Sequence, residues 1–149
     1  MGSKRKRSIK KDEEGALRYV QRLLRYRLRS RKELEERLLR EGFPEEVVER
    51  VLRKLEETGI IDDERFAYLF AHDELSLKFH GPYVIRRKLR ALGVDEEIIE
   101  EALKKALEEV DVSEHVRRLF EKHGDVRKVR EILFQRGFDP SVLKNFDLR

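Results

Sequence analysis

Three glycines, Gly42, Gly93 and Gly137, share one set of neighbours, and that shared set constrains the fold more than any other feature of the chain. Four residues before each stands a leucine: Leu38, Leu89 and Leu133. Eight before stands an aliphatic residue: Leu34, Ile85 and Val129. Directly after each comes Phe43, Val94 or Phe138, and a little further on an apolar pair, Val47–Val48, Ile98–Ile99 or Val142–Leu143. Agreement at so many offsets marks an internal repeat with a period of about fifty residues or somewhat less.

The pattern is helical. Apolar residues four apart lie on one helix face. A glycine just past the helix end takes the left-handed conformation, and the residue after it folds back onto the leucine. The next helix follows at once, with Asp95 and Asp139 as expected N-caps, Pro140 at a first helical position and Pro44 in the equivalent place. Ser30 and Glu33 have the spacing of a capping box. Gly81–Pro82 and Asp125 open the corresponding helices later in the chain.

Each repeat has an earlier helix as well. Its apolar stripe is Leu17, Val20, Leu24 and Leu28 in the first repeat, Phe66, Leu69 and Phe70 in the second, and Val116, Leu119 and Phe120 in the third. The sequence therefore predicts an all-α chain of three tandem three-helix repeats forming an elongated curved array. The expected boundaries are a disordered basic tail over 1–15, then repeats over 16–61, 62–111 and 112–149, the last with a short final helix.

Charged residues make up 44% of the chain, against about 25% in ordinary soluble domains. Cysteine is absent, which removes disulfides, thiolate metal sites and cysteine nucleophiles and suits a reducing cytoplasm. No apolar run approaches the roughly 20 residues that cross a bilayer. These features predict a cytoplasmic monomer without a membrane partner. The net charge of +4 says little, but its distribution says more. Residues 16–32 carry six arginines and a lysine with no acid, residues 78–94 carry three arginines and two lysines with no acid, and residues 95–109 carry seven acids against two lysines.

The stretch GIIDDERFA, residues 59–67, places two carboxylates side by side. With Asp62 as N-cap, Asp63 and Glu64 fall in a first helical turn, where the helix dipole favours negative charge. Adjacent helical residues point apart, so Asp62 and Asp63 do not form an acid/base pair. Ile61 and Phe66 have the spacing of a hydrophobic staple. Asp62, Asp63 and Phe66 are thus expected to be structural, with Gly42, Gly81, Gly93 and Gly137.

The same pieces carry a resemblance. GIIDDERFA, preceded by RLRSRKELEERLLREGF and followed by GPYVIRRKLRALGV, resembles the RecX family, regulators of the RecA recombinase. The resemblance runs from residue 16 to about residue 146. It implies that the chain binds the RecA–DNA filament along its helical groove and dampens filament extension, ATP hydrolysis and strand exchange.

Arg18, Arg22, Arg25 and Arg29 follow one another at helical spacing with no interleaved acid, which points to an anionic partner rather than a self-neutralised face. Arg31 and Lys32 close the same basic segment. Arg86, Arg87, Lys88 and Arg90 form a second cluster, and Arg127, Lys128 and Arg130 a third, flanked by acids. Single- or double-stranded DNA is a second candidate partner for these groups. The four histidines lack metal-ligand spacing, and no phosphate loop or nucleophile elbow is present, so neither a cofactor nor an enzymatic activity is expected. Two other readings remain open. A helix-turn-helix protein would bind DNA directly, although the would-be recognition helix is acidic in two repeats. A scaffold repeat would bind some unrelated protein.

Overall fold

The computed structural model describes residues 10–145. Its helices are α1 (Glu13–Tyr26), α2 (Arg31–Arg40), α3 (Glu45–Glu57), α4 (Asp63–Ser76), α5 (Pro82–Ala91), α6 (Glu96–Glu109), α7 (Ser113–His123) and α8 (Val126–Gln135), followed by a short 3-10 helix, Pro140–Asn145. No strand occurs among the described residues. The chain divides into two compact units, Met1–Asp63 and Glu64–Arg149. The second and third sequence repeats thus share one unit.

Of the basic tail expected over 1–15, residues 1–9 lie outside the described residues. The remainder is partly helical: α1 starts at Glu13 because the Asp12 carboxylate accepts a hydrogen bond from the Gly15 amide at 2.8 Å. Glu13 then reaches across to α3, 2.8 Å from both Arg50 and Lys54. The core of this unit joins Ala16, Val20 and Leu23 of α1 to Leu34 and Leu38 of α2 and to Val48, Val51, Leu52 and Leu55 of α3. Each fully buried aliphatic side chain contributes about 1.5–3 kcal/mol. The α1 stripe differs from the expected one. Its buried residues are Ala16, Val20 and Leu23, with Leu17 and Leu24 only partly buried against them, and Leu28 lies outside the helix, which ends at Tyr26 where Arg27 turns extended.

The glycine-ended helices take the predicted form. Gly42, Gly93 and Gly137 have φ of +99°, +78° and +91°. The amides of Phe43, Val94 and Phe138 donate to the carbonyls of Leu38, Leu89 and Leu133 at 2.9–3.1 Å. These are Schellman turns, and the apolar residue after each glycine is buried. The capping box at Ser30 forms in both directions. Asp125 and Asp139 cap their helices through the amides of Arg127 and Ser141. Asp95 makes no side-chain cap bond, so α6 begins on its acidic first turn alone.

In the second unit the buried face of α4 is Phe66, Ala67, Ala71 and Leu75, whereas Leu69 is 38% exposed. The ends of α5 and α8 meet directly. The Gly81 amide donates to the Arg136 carbonyl at 2.7 Å, and the Tyr83 amide to the Gly137 carbonyl at 3.0 Å. Two of the free N–H groups of the first turn of α5 are therefore satisfied by the chain leaving α8. Phe79, at φ +53°, stacks on His115 with ring centres 4.7 Å apart and lies against Phe138 at 4.8 Å.

Candidate partner-binding faces

Arg18, Arg22 and Arg25 lie on α1, exposed, and none makes an ion pair or side-chain hydrogen bond among the described residues. Their spacing puts them on one side of the helix, away from Ala16, Val20 and Leu23. Arg29 does not continue the row. It lies past the helix end, its side chain is 13% exposed, and its guanidinium stands 3.9 Å from Glu33. Burial, together with the neighbouring positive charges of Arg27 and Arg37, lowers its pKa from the usual arginine range, against an opposing pull from Glu33.

Arg31 is held internally. It pairs with Glu56 and stands 3.0 Å from Glu35 and 3.8 Å from Glu49, so it braces α2 against α3. Its pKa is raised, chiefly by the hydrogen bond to Glu56. Its amide donates to the Asp63 carboxylate at 2.8 Å, adding an acceptor to the first turn of α2. Asp62 stands one residue before α4, the N-cap position, and Phe66 is buried. Lys32 sits 3.8 Å from Glu35.

Two of the four cations of the α5 cluster are neutralised by the acidic helix that follows. Arg86 bonds Glu100 at 2.6 and 3.1 Å, and Arg90 pairs with Glu96. These contacts raise both arginine pKa values and lower those of Glu96 and Glu100. The alternation of basic and acidic segments along the chain is, in this stretch, a set of internal ion pairs. Arg87 is the exception, exposed and without an ion pair among the described residues. Lys88 turns inward to Glu74 at 3.0 Å.

Glu74 was not singled out by the sequence reading, and it is 2% exposed. It accepts from His80 at 2.5 Å, Lys88 at 3.0 Å and Lys78 at 3.1 Å. Burial pushes its pKa up, but the three hydrogen bonds outweigh burial and hold it below the usual carboxylate range. A signal was present: Glu74 follows Phe66 and Phe70 at four-residue steps, on the apolar side of α4.

On α8 the side chains of Arg127, Lys128 and Arg130 are exposed and unpaired among the described residues. Phe134, on the side of the helix that carries Arg127 and Arg130, is 70% exposed. The row of arginines on α1 and the basic groups of α8 are thus the parts of the predicted set left open to a partner, together with Arg87.

Comparison with known proteins agrees with this architecture. Residues 16–55 match the first three-helix domain of RecX, and residues 62–103 match its second. A protein of Thermotoga petrophila named regulatory protein RecX is 48% identical over 86% of this chain and 80% of its own length. The chain belongs to the RecX family. A RecX protein of Geobacillus is 34% identical over 80% of this chain and 48% of its own. The crystal structure of RecX from Lactobacillus salivarius superposes with a TM-score of 0.76 at 26% identity, covering 92% of both chains. No helix among the described residues is long and apolar enough to cross a membrane.

Proposed function

We propose that this chain binds the RecA–DNA nucleoprotein filament and dampens recombinase activity: extension, ATP hydrolysis and strand exchange. Family membership supports a regulatory role. The observation that carries the rest is the row Arg18, Arg22 and Arg25. These arginines stay unpaired among the described residues, while Arg31, Arg86 and Arg90 each engage carboxylates. Unneutralised cations at this density are stabilised by an anionic surface, whether phosphate or acidic side chains. The test is inhibition of RecA-driven ATP hydrolysis on single-stranded DNA by the wild type and by Arg22→Glu/Arg25→Glu, over a salt series. Inhibition by the wild type that weakens with salt, and that the double variant loses, supports the reading. Equal, salt-independent inhibition by both overturns the role of this face, and no inhibition by either overturns the function.

A further inference from the structure

The second unit contains a cleft of about 380 Å³ between α5 and α8. Val84 and Ile132 give it an apolar floor, and Arg87, Lys88 and Arg136 supply cations around it, with Gln135 and His80 completing the lining. No carboxylate lines it. The nearby acid, Glu74, is buried and already engaged by Lys78, Lys88 and His80, so it fixes the Lys88 ammonium in place rather than closing the cleft to anions. Arg136 is likewise anchored, donating to the Lys78 carbonyl at 3.0 Å. Arg87 is exposed and has no ion pair among the described residues. The walls are held together by the backbone bonds from Gly81 to Arg136 and from Tyr83 to Gly137, so the cleft exists before any partner arrives.

We propose that this cleft receives an acidic, partly apolar peptide segment of a partner protein. An aliphatic side chain fills the floor against Val84 and Ile132, and flanking carboxylates meet Arg87 and Arg136. The proposal rests on the reading that the chain acts by binding a protein assembly, and it adds where and what kind of segment is held. A nucleic-acid strand fits less well. The lining has no Phe, Tyr or Trp on which a base could stack, and an aliphatic floor offers a phosphate nothing. The mixed lining instead matches the usual anatomy of a peptide groove, in which an apolar anchor gives affinity and polar groups at the edge give direction.

The experiment uses the full chain, labelled for NMR, with a short capped peptide alternating glutamate and leucine. The same peptide with lysine for glutamate, and an oligothymidine, are the comparison probes. The glutamate peptide is expected to shift the amides of Val84, Arg87, Ile132 and Gln135, and Arg87→Glu to weaken it about tenfold. Lys104→Glu, at an exposed residue of α6 that does not line the cleft, is expected to leave binding unchanged. Shifts with oligothymidine but not with the glutamate peptide would overturn the choice of occupant. Absence of shifts with every probe, or equal binding of the lysine peptide, would overturn the site. RecA is absent from this measurement, so its outcome is separate from filament inhibition. Peptide binding without inhibition removes the proposed function and keeps the cleft. Inhibition without peptide binding does the reverse.

Discussion

A methyl group placed on Gly81 would lie 2.5 Å from the carbonyl carbon and oxygen of Gly137. Gly137 is equally tight against α5, since a Cβ there would lie 2.7 Å from Val84 Cγ2 and 2.8 Å from the Val84 nitrogen. Gly81 has an ordinary extended backbone at φ −90°, so it is required by close approach and not by conformation. Gly81→Ala should therefore cost about 1–3 kcal/mol, the usual range for overpacking. Gly59 is the contrast: at φ +77° with nothing within 4 Å of a Cβ, Gly59→Ala meets only left-handed strain, about 1 kcal/mol. Urea denaturation of both variants checks the order. A Gly81→Ala protein as stable as wild type would show that the two turns can separate without loss.

Glu74 makes stability depend on acid. Its folded-state pKa is depressed, so its contribution is fully present above the unfolded carboxylate range and is lost as pH falls through the folded value. Glu74→Gln should destabilise the protein by about 2–3 kcal/mol near neutral pH, because Lys88 and His80 lose an ionised acceptor in a largely buried place. The difference from wild type should shrink as the solution is acidified below about pH 4. Denaturation curves at several pH values read this directly, and a pH-independent difference would contradict it.

Asp63 and Arg31 form a pair in which the backbone matters as much as the charge. The Asp63 carboxylate accepts the Arg31 amide, one of the donors that a helix start leaves unpaired. Asp63→Ala should cost about 1 kcal/mol or somewhat more, and Asp63→Asn much less, since an amide oxygen also accepts. Equal losses in the two variants, measured by thermal melting, would show that charge rather than the cap decides.

The arginines should separate into two classes. Arg31→Ala should lower stability by about 1–2 kcal/mol, because a three-carboxylate network loses its centre. Arg22→Glu/Arg25→Glu should leave the melting temperature nearly unchanged and weaken filament inhibition. Circular-dichroism melts paired with ATPase assays make the distinction. A double variant that unfolds would mean that this face carries structure.

What was legible in the sequence was local. The Schellman turns at Gly42, Gly93 and Gly137 and the box at Ser30 and Glu33 each depend on residues within a turn or two, so spacing alone revealed them. The end of α1 is hidden in the sequence because no glycine or proline marks it; only the extended backbone of Arg27 does, and it carries Leu28 and Arg29 out of the helix. The site was harder. Arg31 finds Glu56 and Arg86 finds Glu100 across helix pairs, so a run of cations that reads as open in one dimension is closed in three. Glu74 was visible in principle as a charge on an apolar face, but two of its three partners, Lys78 and His80, come from the loop after its own helix and the third, Lys88, from α5.

The contact between α5 and the turn after α8 has a consequence for excising pieces of this chain. Residues 62–103 correspond to a recognised three-helix domain, yet the acceptors for the Gly81 and Tyr83 amides lie at Arg136 and Gly137. A fragment cut at that boundary would leave both donors at the start of α5 dependent on water, and would uncover Phe79, which now stacks on His115 and Phe138. The smallest piece that keeps α5 as it stands therefore runs through Phe138, and melting from α4 to α8 should proceed as one cooperative step rather than repeat by repeat.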